Sequence, residues 1–157
     1  MAPLTRTLTL AATAALLSGC GDSITFPDVN SAVLAEFCIQ GEIPVSGSTS
    51  RSGNVSSADC HTGIQNDGYF EGWHVRAGEV KTVTMEVASN FDSYLEVYRL
   101  VDVNDPAAGA TLIGEDDDSG DDLNARVSVT LSPDTDYVVF VSGFSDAHTG
   151  PYTLDIN

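Results

Sequence analysis

Six acidic residues stand within the eight positions Glu115-Asp116-Asp117-Asp118-Ser119-Gly120-Asp121-Asp122. Like charges packed this closely repel, so either salt and water screen them or a cation neutralises them. Hard carboxylate oxygens on a loop suit Ca²⁺, and the absence of neighbouring His and Cys speaks against zinc or copper. The twelve-residue EF-hand loop does not fit: counted from Asp116, position 6 is Asp121 where Gly is required, and position 12 is Val127 where Glu is required. Asp92, set between Phe91 and an apolar run, has two readings. It joins the cluster as a further oxygen donor, or it accepts backbone N–H bonds in a turn.

The cysteines suggest a different chemistry. Behind Arg6, the apolar stretch from Leu8 to Leu17 is too short to cross a bilayer, which takes roughly 20 apolar residues, and has the length of a signal peptide. It runs into Leu17-Ser18-Gly19-Cys20, which resembles the bacterial lipobox. Residues 1–19 are therefore expected to be a lipoprotein signal peptide, 20–36 the lipidated Cys20 and a tether, and 37–157 the folded domain. More than one acyl chain on Cys20 gives stable membrane anchoring where a single chain is marginal. Gly21 rather than Asp follows the cysteine, which favours the outer membrane in a Gram-negative cell. Cys38 and Cys60 then remain as an even pair in an oxidising compartment, and a disulfide between them is expected. A two-cysteine metal site would need closely spaced His partners, and only His61 is adjacent.

Catalytic patterns are thin. Ser145-Asp146-Ala147-His148 holds the residue types of a hydrolytic triad, but near neighbours in one loop do not build a triad by proximity in sequence, and no Gly-x-Ser-x-Gly elbow occurs. Gly21-Asp22-Ser23-Ile24 has the letters of a GDSL hydrolase block but opens a tether with no preceding strand. There is no His-Glu-x-x-His and no glycine-rich phosphate loop. Trp73, the only tryptophan, sits on an alternating strand and is expected in the core. Tyr69 and Phe144, next to turns, are the candidates for an exposed ligand-stacking platform.

A net charge of -17, from 6 basic and 23 acidic residues, excludes a nucleic-acid binder that relies on general basic charge. With 42% hydrophobic and only 18% charged residues the chain is too apolar for wholesale disorder. The elements that must hold the acids and aromatics are short β-rich runs separated by turn chemistry. Tyr69, Glu71, Trp73 and Val75 share one face of a strand. Val83, Met85 and Val87 alternate with Thr82, Thr84 and Glu86, and Val127, Val129 and Leu131 with Arg126, Ser128 and Thr130. The runs Tyr94 to Val101 and Tyr137 to Val141 are apolar on both faces and predict central strands. Tyr152, Leu154 and Ile156 alternate at the end. With strands near Glu42 to Ser46 and Thr111 to Ile113, the count is about eight, and the fold class is all-β, an antiparallel jelly-roll-like β-sandwich. Ser46 to Asn54, rich in Ser and Gly, reads as a surface loop.

Phe91-Asp92-Ser93-Tyr94-Leu95-Glu96-Val97-Tyr98, Leu112-Ile113-Gly114-Glu115-Asp116-Asp117-Asp118 and Leu123-Asn124-Ala125-Arg126-Val127 follow one another in order. Asp136 to Ser142 and Thr149-Gly150-Pro151-Tyr152-Thr153-Leu154 complete the series. Together they resemble the bacterial pre-peptidase C-terminal domain, a jelly-roll sandwich related to the collagen-binding domains of clostridial collagenases. The resemblance covers roughly residues 40 to 157. It implies a binding or accessory role without peptidase activity, and it makes Asp92 and the Asp117-Asp118 pair the recurrent acids. The family commonly follows a peptidase catalytic domain, whereas here the domain stands behind a lipid anchor, and the Cys38–Cys60 pair is not a general trait of the family. The expected function is an envelope-anchored, non-catalytic module that binds an envelope protein or polysaccharide or assists secreted peptidases, with Ca²⁺ on Asp92, Asp116, Asp117 and Asp118. The alternatives are an acidic structural lipoprotein without a specific ligand and a cryptic hydrolase.

Overall fold

Val83, Met85 and Val87 are sealed inside the molecule while Thr82 and Ala88 face solvent, so the alternation read in the sequence becomes a strand with one core face. The structure is a computed structural model that describes residues 38–61, 68–105 and 108–157. The expectations for residues 1–36, including lipidation of Cys20 and the tether, lie outside the described residues.

Ten strands follow in chain order: β1 (Ile39–Val45), β2 (Thr49–Val55), β3 (Cys60–His61), β4 (Tyr69–Ala77), β5 (Lys81–Ser89), β6 (Ser93–Leu100), β7 (Ala110–Asp116), β8 (Arg126–Leu131), β9 (Asp136–Gly143) and β10 (Gly150–Ile156). One sheet has the order β1-β4-β9-β6-β7, with β3 also on β4, and the other has β2-β10-β5-β8. Their inner faces enclose one core that includes Ile43, Trp73, Val75, Met85, Leu95, Val97, Leu131, Val139, Leu154 and Ile156. This is the all-β sandwich expected.

Three features differ in detail from the sequence reading. The stretch read as a Ser/Gly loop contains β2, because Thr49, Arg51, Gly53 and Val55 turn inward while Ser50, Ser52 and Asn54 stay exposed. A polar strand of this kind is stable at a sheet edge, where only one face and one neighbour, β10, demand complementarity. The two-residue β3 raises the count further. Finally, β1 pairs with β4 in parallel, with Ile43 opposite Val75, whereas the other pairings are antiparallel. A parallel pair needs a long crossover, and here the connection passes through β2 in the opposite sheet.

The continuous apolar runs have a specific cause. Tyr137, Val139 and Val141 of β9 face the main core, whereas Val138 and Phe140 face the other side of the sheet. There Leu100 and Val138 form a second cluster with Ile39, Val103, Ala110 and Phe140, and Phe140 meets the Phe70 and Tyr98 rings at 4.9 and 5.5 Å. Central strands covered on both faces carry no polar alternation.

Candidate binding end of the sandwich

Strand register places four turns at one end of the molecule. Ser93 at the start of β6 lies opposite Gly143 at the end of β9, Ser89 at the end of β5 opposite Tyr152, and Gly150 opposite Val55 at the end of β2. The acidic β7–β8 loop therefore meets the turns after β5, β9 and β2. Asn124 ties two of these together: its Oδ1 accepts from the Ser89 N–H at 3.0 Å and from the Ser89 hydroxyl at 2.8 Å, and the Ser93 hydroxyl accepts the Ala125 N–H at 3.1 Å. The Ser93 N–H donates to the Leu123 carbonyl at 3.0 Å, and the Phe144 N–H to the Asp92 carbonyl at 2.9 Å. Asp92 and Ser93 are thus bracketed by Leu123 on one side and Phe144 on the other. Gly143 is required here, since a Cβ on it would overlap the His148 carbonyl.

The acids divide into two kinds. Asp116 is committed to the loop: its Oδ2 accepts the Arg126 N–H at 2.8 Å and the Ser119 N–H at 2.9 Å, and its Oδ1 accepts the Ser119 hydroxyl at 2.6 Å. Burial would raise its pKa, but the hydrogen bonds from Arg126 and Ser119 outweigh burial and hold it below the ordinary carboxylate value. Asp118 shifts the other way, raised by desolvation and then by the charges of Asp117, Asp92 and Asp116. The Ser93 bond to Leu123 sets the turn that carries Asp92 beside the acidic loop. Among the described residues no three His, Cys, Asp or Glu side chains already converge as a metal cluster.

The aromatic candidates also separate. Phe144 is 42% exposed at this end. Tyr69 is half-buried and packs on the core, with the His61 ring edge-on at 5.0 Å, so it is a less open platform than its place beside a turn suggested. Leu123, which sequence reasoning did not single out as a contact residue, is the more exposed apolar group at 55%. Its signal was an apolar residue directly after two aspartates. Trp73 is buried, as expected, and its Nε1–H donates to the Tyr152 hydroxyl at 2.7 Å.

Ser145 and His148 do approach, Oγ to Nδ1 at 3.2 Å, but Asp146 pairs with His61 Nε2 at 2.6 Å. The carboxylate that a triad would need behind His148 is engaged elsewhere. Cys38 and Cys60 form a disulfide with Cα atoms 6.2 Å apart. It joins the start of β1 to β3, both of which lie along the same edge of β4.

No protein-family model and no curated protein matches the chain. Among solved structures it is similar to the pre-peptidase C-terminal domain of a collagenase from Bacillus anthracis. The TM-score is 0.51 at 13% identity, over 74% of this chain and 93% of that one. Looser likenesses are a periplasmic inhibitor of g-type lysozyme from Aeromonas hydrophila, with TM-score 0.47, 15% identity and coverage of 76% and 97%, and a surface-associated copper-binding protein from Methylomicrobium album BG8, with 0.48, 12%, 76% and 98%. The first of these shows that the sandwich read from the motif series has the fold of that collagenase domain.

Proposed function

We propose that this chain is a non-catalytic binding module of the bacterial envelope, anchored through lipid on Cys20, that engages an envelope protein or polysaccharide with the loop end of the sandwich. The observation that carries this reading is the placement of exposed Leu123 and Phe144 on either side of Asp92, beside the acidic loop. Apolar groups kept in water and framed by polar ones are what a contact surface presents. Turns held by rigid strands are where sandwich folds place recognition.

The carboxylate oxygens of Asp92 and the acidic loop suit a hard cation in chemistry. Because Asp116 is occupied by three hydrogen bonds, Ca²⁺ would be held chiefly by Asp92, Asp117 and Asp118, and its charge would offset theirs. The test is retrieval of partners from native envelope with and without chelator, using the wild-type chain and Leu123→Ser/Phe144→Ser. Retention lost in the double variant supports the reading; retention unchanged in it contradicts the assignment of this end. Mass spectrometry of Cys20 tests the anchor separately, and an unmodified mature terminus elsewhere would remove it.

A further inference from the structure

We propose that Glu71 is a pH-sensitive latch that fastens the edge strand β2, across the interior of the sandwich, to β4 and β10. The inference concerns the fold and stands independently of what the loop end binds.

Glu71 projects from the inner face of β4 and is 8% exposed. Its Oε2 accepts two hydrogen bonds from the opposite sheet, from the Tyr152 hydroxyl of β10 at 2.8 Å and from the Asn54 N–H of β2 at 3.1 Å. The Tyr152 oxygen in turn accepts from Trp73 Nε1–H. Space for this arrangement comes from Gly53, paired with Tyr152, where any Cβ would overlap the Glu71 carboxylate and the Tyr152 ring. β2 contributes only Val55 to the fully buried core, so the bond to the carboxyl adds an interior attachment to a strand otherwise held by its ladder with β10.

Among the described residues, the groups that act on the carboxyl are neutral or negative. From β10 it faces Tyr152, from the turn after β2 Asp59, and from β9 the paired Val141. Burial raises its pKa, the bonds from Tyr152 and Asn54 oppose that rise, and Asp59 adds to it, leaving the group above its ordinary 4.5. The sign follows from linkage. When β2 opens, water reaches Glu71 and its pKa returns toward 4.5. Below that pH the carboxyl is protonated in both states, and closing β2 over it carries no cost of burying a charge. As pH rises through the folded-state value the open form ionises more readily, and opening of β2 becomes easier.

The experiment is amide hydrogen exchange by NMR on the full chain from about pH 4 to pH 8, with intrinsic exchange rates divided out. Wild-type β2 amides, Asn54 among them, should be less protected than those of β5. Their protection should fall with rising pH, by about tenfold for each unit by which the carboxyl is raised. In Glu71→Gln the profile should be flat. An unchanged pH dependence in Glu71→Gln, or β2 amides that exchange only as fast as those of β5, overturns the latch. Should that variant not fold, titration of the Glu71 carboxyl carbon in the wild type decides: a midpoint at or below 4.5 overturns the proposal.

Discussion

Replacing Cys38 and Cys60 together by Ala should weaken the domain by about 3 kcal/mol. The two residues are 22 apart in sequence, and in the chain-entropy model a crosslink closing a loop of this size lowers the entropy of the unfolded chain by that amount at 25 °C. The native geometry adds a local consequence. The bridge holds β1 and β3 side by side on β4, where the Gly72 N–H donates to the Cys38 carbonyl at 3.0 Å and β3 has only two paired residues. Without the bridge β3 should fray first and release His61 from Asp146. The assay is urea unfolding of wild type and double variant at neutral pH. The midpoint should fall while the slope rises, since an uncrosslinked unfolded chain exposes more surface. The melting temperature should drop by roughly 10 °C for a domain of this size. A cost below about 0.5 kcal/mol, or ready alkylation of both thiols in unreduced native protein, would rule out a stabilising bridge between Cys38 and Cys60.

Asp116→Ala should cost about 0.5–1.5 kcal/mol, because it removes the acceptor of the Arg126 and Ser119 donors while leaving Ser119 open to water. In the wild type, whose Asp116 pKa is lowered, the ionised carboxylate's share of that contribution is present above pH 3.8 and lost as pH falls through the folded-state value, so the variant should lack this part of the acid dependence. Leu154→Ala, at a position with 0% exposure between the sheets, should cost about 2–5 kcal/mol in the same assay. Calcium should raise thermal stability by mass action, about 2.7 kcal/mol at 100 times its dissociation constant, and Asp92→Asn should abolish the rise. An equal effect from sodium at matched ionic strength would reduce the acidic end to a screened surface.

Most of the fold was legible because side-chain period and strand burial are the same information. The alternation of Val83, Met85 and Val87 fixed a half-buried strand, and the unbroken run from Tyr137 to Val141 marked one covered on both faces. β2 was not legible, since Thr49 to Val55 carries turn-forming residues and owes its extended form to β10 and to the fit of Gly53 against Tyr152. At the loop end, Asp92 and the acidic run could be paired through the motif order. That Asp116 turns inward to cap its loop depends on where Arg126 and Ser119 present their N–H groups, which only the folded backbone decides. Glu71 was visible as a charge on the same face as Trp73 and Val75. Its partners Tyr152 and Asn54 are 81 and 17 residues away, beyond any local pattern.

On the function proposed above, the loop end, and not the outer face of the sheet that carries β5, contacts an envelope macromolecule. Site-specific photocrosslinking in intact cells tests it most directly, with the probe placed in turn at Phe144, at Leu123 and at the exposed Thr82 of β5. Discrete adducts from Phe144 and Leu123, diminished by chelator and missing from Thr82, are the predicted result. Adducts of equal yield from Thr82, or none from either loop position, would contradict it.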